Sequence, residues 1–458
     1  MCGIFGAIGH KDAAKLTYLG LYSLQHRGEE AAGIFSTDGK KTYLCKEHGL
    51  VSDVFDEKKL SDLKGSIALG HNRYSTTGSS YSSRNIQPFY VRHKKRSLVV
   101  AHNGNLVNTA RLHEMLEHDG TIFQTTMDSE IILHLIARSR KETYQDRVID
   151  ALAHLKGAYS MLLLKGDIVV AARDPQGFRP MCIGKKDDAY IVCSETCALD
   201  IIGADYVRDV NPGEVIFFKG TEMESIQAFE PKPSHCVFEY IYFARPDSDV
   251  FGHSVYQTRK QLGARLSQES PADADFVMPV PDSGNMAAMG LAEYADIKFE
   301  QAMVRNHYIG RTFIQPSQFV RDFRVRVKLN PIRSVIENKR AIVVDDSIVR
   351  GTTSRARVRA IRSAGAKEVH MRISCPEIKY PCFYGVDFPT SEELISFNHS
   401  VEEIRDFIDA DSLAFLTKEG MLAAMPLPSE NFCTACFDGS HCMVPDGCCV
   451  NAKEAMEV

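Results

Sequence analysis

Short runs of apolar residues dominate the first half of the chain and indicate a domain rich in β-strands. A few helices are expected among the strands, and two stretches, 15–25 and 128–138, are predicted to be helical. Because the strands follow one another without regular helical crossovers, the pattern predicts an α+β layered domain. The predicted strands lie at 31–35, 41–45, 66–70, 98–101, 160–164, 168–172, 189–193 and 214–218.

Strands and helices alternate in the second half. An apolar run at 276–280 precedes a helical pattern at 286–294. A β-branched run at 342–344 precedes a second helical pattern, which ends at Ala364, and a further strand is predicted at 369–374. A fully apolar, β-branched strand in this setting is typical of a buried parallel sheet. The second half is therefore predicted to be an α/β domain.

The length of 458 residues allows two or three domains. The segment at 230–234, Glu-Pro-Lys-Pro-Ser, has the composition of a linker and lies where the pattern changes. We therefore predict a first domain at 2–231 and a second at 232–458.

Composition narrows the class of protein. A net charge of -5 gives no basic excess of the kind that binds nucleic acid, and no apolar run approaches the roughly 18 residues of a membrane span. The first residues do not have the pattern of a secretory signal. The cytosol is therefore the expected compartment. Thiols stay reduced there, so the 13 cysteines are expected to be core, catalytic or metal-binding residues rather than disulfides.

Cys2 is the first candidate for chemistry. Removal of Met1 would leave one residue with both a thiol and an α-amine whose ordinary pKa is near ~8. The thiolate is a strong nucleophile and the free amine can act as its base. We expect removal of Met1 alone to complete this residue. The alternative is an ordinary buried strand at 3–6.

Two predicted loops carry further candidates. The loop at 71–78 offers the Arg73 guanidinium and several hydroxyls, which are groups that hold a carboxylate. In the loop at 101–105 the Asn103 amide stands beside the Gly104 N–H, a pair that can stabilise an oxyanion, although the loop can also be an ordinary turn. Asp128 begins a predicted helix and either caps it or faces an ammonium group.

The motifs CGIFG, QHRG, HNRYSTTG, AHNGNL and TTMDSE, in this order from residue 2 onward, resemble the N-terminal-nucleophile glutamine amidotransferases. The resemblance covers residues 2 to about 230 and implies an αββα sandwich. It implies that Cys2 is the nucleophile, with its own α-amine as general base. It also implies oxyanion stabilisation by Asn103 and Gly104. For glutamine, it implies that the α-carboxylate contacts Arg73 and Thr76 and that the α-amine contacts Asp128.

A second candidate site is built on two strand ends. Adjacent carboxylates, Asp345 and Asp346, follow the strand at 342–344, and hydroxyls with Gly351 then open a helix. Helix N-termini bind phosphate, and carboxylates suit ribose hydroxyls or hydrated Mg²⁺. The loop at 281–284 follows another strand in the same way. The alternative for the bare carboxylate pair is a solvated strand end.

The motif VVDDSIVRGTTS resembles the phosphoribosyl diphosphate (PRPP) signature of type I phosphoribosyltransferases, and the match extends over roughly 250–420. It implies a parallel sheet, Mg²⁺ bound near Ser283, Asp345 and Asp346, and a flap at 305–317 and 321–328 that closes over PRPP. The implied PRPP-binding residues are Asp282, Ser283, Gly284, Asp345, Asp346, Ser347, Val349, Arg350, Gly351, Thr352 and Thr353.

Together the two resemblances imply one reaction. Ammonia released from glutamine reaches PRPP by an internal route and gives 5-phosphoribosylamine, pyrophosphate and glutamate, the first committed step of de novo purine synthesis. The expected partners are glutamine, PRPP, purine nucleotide feedback inhibitors and further copies of the chain in a dimer or tetramer. The alternatives are an amidotransferase for another acceptor and a PRPP-sensing regulator without activity.

The remaining candidates are cysteines. The CxxC pair Cys433 and Cys436 suits zinc, iron–sulfur or redox chemistry, whereas Cys236 and Cys382 stand among aromatic residues and suit a core. One branch of the related enzymes carries a 4Fe–4S cluster, and this resemblance implies that these four cysteines bind it. Replacement of a CxxC cysteine by Cys442 or Cys448 is the alternative, and Cys449 lies close by. The cysteines expected in strands of the core are Cys45, Cys182, Cys193, Cys197 and Cys375.

Overall fold

The computed structural model describes residues 1–74, 82–93, 96–306, 329–388 and 390–446. Its first unit is built from strands and helices that end at Gln227. Strands β1–β13 span Gly3–Ile8, Ala31–Thr37, Thr42–His48, Ile67–Arg73, Phe89–His93, Arg96–Leu106, Gly157–Lys165, Ile168–Arg173, Cys182–Lys186, Ala189–Cys193, Asp205–Asp209, Glu214–Lys219 and Glu222–Gln227. Helices α1–α7 span Ala13–Ser23, Val51–Val54, Glu57–Asp62, Thr109–His118, Asp128–Arg138, Tyr144–Leu152 and Cys197–Ile202.

These strands form two stacked antiparallel sheets. One has the order β11-β9-β10-β1-β4-β2-β3 and the other β13-β12-β8-β7-β6-β5. Their facing sides meet in an apolar core that includes Ile4, Phe35, Leu162 and Val169. Helices α1, α2 and α7 cover the outer face of the first sheet, and α4, α5 and α6 cover that of the second. The predicted αββα sandwich is confirmed.

Two polar segments predicted as loops belong partly to strands. β4 runs to Arg73 and pairs with β1 as far as Asn72, and β6 runs through Asn103 and Gly104 to Leu106. The prediction of loops there is wrong because pairing with neighbouring strands satisfies the backbone of polar residues as well as that of apolar ones. The candidate site residues therefore stand on strand ends, which fix their positions more firmly than a loop would.

The second unit contains short strands and helices around a parallel sheet. Strands β14–β23 span His235–Cys236, Asp249–Val250, His253–Ser254, Phe276–Pro279, Met303–Arg305, Leu329–Pro331, Arg340–Asp345, Glu368–Ile373, Ser412–Phe415 and Phe432–Cys433. Helices α8–α15 span Val255–Glu269, Asn285–Ala295, Arg333–Ile336, Thr352–Ser363, Ile395–Asn398, Val401–Ile408, Lys418–Ala423 and Ala435–Asp438. The parallel order β17-β20-β21-β22 confirms the predicted α/β architecture.

A buried ionic network joins the two units. The π-helix Glu239–Phe243 follows β14, and the Glu239 carboxylate accepts a hydrogen bond from Arg27 at 2.7 Å and lies 3.5 Å from Arg179. Arg27 also pairs with Glu195. All four side chains are fully buried. The second unit is thus attached to the sandwich by charges that water does not reach.

Some sequence expectations differ from the structure or fall outside it. Cys182 and Cys193 are buried in strands as expected, and Cys45 is half-buried in β3. Cys375 is buried as expected, but its placement in a strand is wrong because β21 ends at Ile373. Cys197 is buried but begins helix α7, so its placement in a strand is wrong. The backbone groups of Thr196 and Ala198 form helical hydrogen bonds there. Nearly all of the predicted flap falls at 307–328, outside the described residues. Within the described ranges, no helix is long and apolar enough to cross a bilayer.

Candidate active site

Cys2 lies immediately before β1 and is buried between the sheets and the second unit. Its thiol donates to the Tyr74 carbonyl at 3.4 Å, and its backbone nitrogen donates to Asn103 Oδ1 at 3.1 Å. Met1 is attached, so this nitrogen belongs to a peptide bond in the structure. Burial raises the pKa of the Cys2 thiol, while the nearby amino terminus and Arg73 favour the thiolate. A base close to the thiol would therefore be needed to generate the nucleophile at neutral pH.

Asn103 and Gly104 stand opposite Cys2 on β6. Asn103 Nδ2 is buried and has no hydrogen-bond partner among the described residues. A buried donor without a partner is costly, which indicates that a ligand oxygen completes it. Gly104 has φ of +154°, and a Cβ there would stand 2.0 Å from the Ala158 carbonyl oxygen, so only glycine fits. The two residues can present side-chain and backbone N–H groups to an oxyanion.

Two buried residues of opposite charge, Arg73 and Asp128, are held by the strands that carry the candidate site. Arg73 is buried at the end of β4, where electrostatic interaction connects it with Cys2 and Glu30. Asp128 is buried in the first turn of α5 and accepts hydrogen bonds from the Leu106 N–H at 3.1 Å and the Ser129 hydroxyl at 3.0 Å. A buried cation and a buried anion in one site are the groups that would bind the α-carboxylate and α-ammonium of an amino acid.

The environment keeps Asp128 ionised. Burial alone would raise its pKa, but His102 and the hydrogen bonds from Leu106 and Ser129 outweigh burial and lower the pKa below the ordinary value. The N-cap of α5 is Met127 rather than Asp128, so the interpretation of Asp128 as the cap is wrong. Thr76 lies outside the described residues.

Sequence reasoning assigned no role to His102 or Arg27, although both occur in quoted motifs. His102 Nδ1 lies 3.1 Å from Ser129 Oγ and 3.6 Å from Asp128 Oδ2, and its Nε2 lies 3.2 Å from the Ala158 carbonyl oxygen. Its side chain, on the oxyanion strand β6, is held by contacts with distant parts of the chain. The only sequence signal for either residue was its place inside a motif.

The second site lies where β17 and β20 end side by side. Asp345 ends β20 and pairs with Arg357 of α11, and Ser347 donates to Asp346 at 2.5 Å. Burial raises the pKa of Asp345 to about 7; Arg357 opposes this rise and Asp346 adds to it. A cation or ribose hydroxyls at this edge would favour the ionised carboxylate.

The loops around these carboxylates carry groups that suit a phosphorylated ligand. Gly351 has φ of +72° and precedes the first turn of α11. Asp282 pairs with Arg305 at 2.6 Å, and Asn285 Oδ1, at the start of α9, has no hydrogen-bond partner among the described residues. The PRPP-binding segments predicted from sequence, 282–284 and 345–353, thus lie at one edge of the sheet.

A third feature is a cavity lined by the four predicted cluster cysteines. Cys236, Cys382, Cys433 and Cys436 line it, and Arg179 closes it on the side of the first unit. Strand β14 pairs with β23 so that Cys236 and Cys433 are directly opposite. Cys442 does not line the cavity; it is exposed, and its thiol lies 3.6 Å from the Tyr384 hydroxyl. Cys448 and Cys449 fall in 447–458, outside the described residues.

Four of the side chains that line this cavity are cysteines, the residue type that binds iron–sulfur clusters. In the part of the chain that the structure describes, no three His, Cys, Asp or Glu side chains form a group that could hold a metal ion. A four-iron cluster takes one cysteine at each corner, so its ligands surround a volume instead of meeting at a point. Four thiols around one cavity match that requirement.

Taken together, the geometry defines a glutamine amidotransferase unit fused to a phosphoribosyltransferase-type unit. A family model described as a glutamine amidotransferase domain matches residues 71–200. The chain is 49% identical to the amidophosphoribosyltransferase of Bacillus subtilis over 446 residues, which are 96% of this chain and 94% of the relative. It is 51% identical to the chloroplastic amidophosphoribosyltransferase of Glycine max, with 97% of this chain and 79% of the relative covered. The chain belongs to the amidophosphoribosyltransferase family.

Two solved structures agree with this assignment over nearly the whole length. The chain is similar to the B. subtilis glutamine phosphoribosylpyrophosphate amidotransferase complexed with ADP and GMP, with a TM-score of 0.92, 48% identity and coverage of 98% of this chain and 99% of that one. It is similar to a structure described as the allosteric regulatory enzyme of purine biosynthesis, with a TM-score of 0.94, 47% identity and 99% coverage of both chains. The protein is thus an enzyme of the glutamine-dependent first step of purine biosynthesis.

Proposed function

We propose that Cys2 releases ammonia from glutamine and that the second unit adds this ammonia to PRPP. The observation that carries the proposal is the grouping of the Cys2 thiol, the orphan Asn103 amide, Arg73 and Asp128 in one buried site. In this proposal Arg73, with Thr76, binds the glutamine α-carboxylate and Asp128 binds the α-ammonium. The scissile amide is then directed towards the thiol.

The proposed first half-reaction uses residues of this chain alone. Once Met1 is removed, the Cys2 α-amine takes the thiol proton, and the thiolate attacks the side-chain amide carbon. Asn103 Nδ2 and the Gly104 N–H bind the oxyanion, and the amine returns its proton to the leaving ammonia. Water then cleaves the thioester and releases glutamate. The hydrogen bond between the Cys2 nitrogen and Asn103 Oδ1 holds base and oxyanion donor in register.

In the second half-reaction, the 345–353 segment binds PRPP. Asp345 and Asp346 face the ribose hydroxyls, and Ser347, Val349, Arg350, Gly351, Thr352 and Thr353 surround the 5-phosphate at the start of α11. Asp282, Ser283 and Gly284 face the pyrophosphate, and the ammonia adds at C1 as pyrophosphate leaves. Mg²⁺, held by Ser283, Asp345 and Asp346, would neutralise the charge of the leaving group.

The cysteine-lined cavity supports a 4Fe–4S cluster on Cys236, Cys382, Cys433 and Cys436 as a structural group between the units. We expect anaerobically purified protein to contain iron and sulfide, and Cys433→Ser to lose most of both. Cys375→Ser is the control, because that thiol is buried in the same unit but does not line the cavity. Iron retained in Cys433→Ser but lost in Cys442→Ser would assign the ligand to Cys442. A wild-type preparation without iron would refute the cluster.

Regulation and assembly complete the proposal. Purine nucleotides act as feedback inhibitors, an idea supported by the ADP and GMP in the B. subtilis structure. The enzyme works as a homo-oligomer, dimer or tetramer, in the cytosol or an equally reducing compartment; the soybean relative is named as chloroplastic.

The test is glutamate release from glutamine by anaerobically purified protein, with and without PRPP and Mg²⁺. We expect PRPP to raise the rate, and ribose 5-phosphate, which lacks the pyrophosphate, to leave it unchanged. Equal rates with and without PRPP would keep the amidase assignment and remove the coupling. The absence of glutamate under every condition would favour the regulator alternative.

A further inference from the structure

The oxyanion strand of the first unit is covered by a segment of the second unit. Residues 382–388, here called the covering segment, pass over the end of β6. The Asn105 side-chain amide donates to the Phe383 carbonyl at 2.9 Å across a sequence separation of 278 residues. Gly385 is buried, and a Cβ added to it would stand 3.2–3.4 Å from the C, O and Cα atoms of Gly104. The backbone of Gly385 therefore packs directly on the backbone of the proposed oxyanion residue.

Gly104 is confined from both sides. On the first-unit side, a Cβ at Gly104 would meet the Ala158 carbonyl oxygen at 2.0 Å. On the other side lies Gly385, whose φ of +104° is open to glycine and strained for other residues. The Cα and carbonyl group of Gly104, which adjoin its N–H, are thus held between a strand of its own sheet and a glycine from the second unit.

The covering segment is anchored on the side away from Gly104. Two guanidinium N–H groups of Arg179 donate to the Tyr384 carbonyl at 3.1 and 2.5 Å, and the Tyr384 ring stacks on Phe178 with 4.3 Å between centroids. Cys382 and Val386 of the same segment line the cysteine cavity. One side of the segment therefore contacts the cavity and the other contacts the oxyanion strand.

We propose that the covering segment is a positioning element for the oxyanion hole, with Gly385 as its contact residue. The inference rests on the proposed amidase function of Cys2, Asn103 and Gly104. Gly385 does not touch the substrate; it contacts the Cα and carbonyl of Gly104 and so sets the position of the adjoining Gly104 N–H. Oxyanion donors act on charge that develops in the transition state, so a small displacement of this N–H lowers kcat and leaves glutamine binding by Arg73 and Asp128 intact.

The test compares Gly385→Ala with Gly439→Ala in the full-length, anaerobically purified enzyme. Both positions have positive φ, and both added methyl groups would meet an atom at 3.2 Å, but the neighbour of Gly439 is the Tyr380 ring and not Gly104. We expect Gly385→Ala to lower kcat for glutamine hydrolysis about 10-fold or more, a fraction of the roughly 100-fold that removal of one oxyanion donor costs. The glutamine KM, the inhibition constant of glutamate and the ammonia-dependent amination of PRPP should stay within about two-fold of wild type.

A second variant guards against misfolding of the first. Asn105→Ala removes the hydrogen bond to Phe383 without backbone strain, and we expect the same selective fall in kcat, at smaller size. Iron content and ammonia-dependent activity report whether either variant has lost its fold. Equal kcat for Gly385→Ala, Gly439→Ala and wild type would overturn the inference, as would a parallel loss of ammonia-dependent activity in both Gly385→Ala and Asn105→Ala. Absence of glutaminase activity in the wild type would instead refute the proposed function, and the inference with it.

Discussion

Replacing Cys2 with alanine should lower glutamine-dependent synthesis of 5-phosphoribosylamine by at least about 10⁴-fold, because no thiol remains to form the thioester. Ammonia-dependent synthesis should persist near the wild-type rate. The carboxylates of the PRPP site lie in the second unit, and the addition of free ammonia to PRPP does not require the Cys2 thiol. Pyrophosphate release is measured with either glutamine or an ammonium salt as nitrogen source, and glutamate release is measured with glutamine. The ratio of the two rates isolates the first half-reaction.

Cys45→Ala is the matched control for this experiment. Cys45 is a half-buried thiol in β3 of the same sheet, where it pairs with Ile34 of β2. We expect both nitrogen sources to support normal rates in this variant. Retention of glutamine-dependent activity in Cys2→Ala would mean that another group attacks the amide. It would then also contradict the proposed role of Asn103 as the oxyanion donor.

The alternation of apolar and polar residues predicted most of the scaffold because each element buries one face. Helix α5 begins and ends at the predicted residues, and β10 matches its apolar run. Strand β6 was predicted too short, since Asn103, Gly104 and Asn105 near its end are polar or small and owe their strand geometry to pairing with β7. Local pattern cannot reveal pairing supplied by a distant strand.

The same limit applies to the candidate site. Cys2, Asn103 and Asp128 were identifiable because each stands in a motif whose chemistry is legible within a few residues. The contact between Gly385 and Gly104, and the pairing of Arg27 with Glu239, join residues far apart in sequence and depend on how the two units meet. Neither the periodicity nor the composition of the sequence predicts contacts between the two units, so these contacts could only be found in the structure.

Arg27→Met should be the most destabilising single change outside the reaction centre. It removes a fully buried guanidinium and leaves the Glu195 and Glu239 carboxylates without their shared cation. Breaking a buried ion pair on one side costs about 3–5 kcal/mol, because the charge left behind loses its partner inside the protein. We expect a loss of that size in the free energy of unfolding at pH 7, measured by urea denaturation with circular dichroism, since the chain has no tryptophan.

Arg138→Met is the control, because Arg138 pairs with Asp119 at 2.5 Å on the surface, where an ion pair contributes about 1 kcal/mol or less.

The pH dependence of the free energy of unfolding gives an independent check. Burial alone would raise the pKa of Glu195, but Arg27 and His26 outweigh burial and lower it. A carboxylate with a lowered pKa stabilises the fold above its unfolded pKa of about 4.3, and this contribution is lost as the pH falls below that value. When the pH is lowered from 5 to 3, the free energy of unfolding should therefore fall less in Arg27→Met than in wild type. If Arg27→Met and Arg138→Met proved equally stable at pH 7, the buried network would not be what holds the two units together.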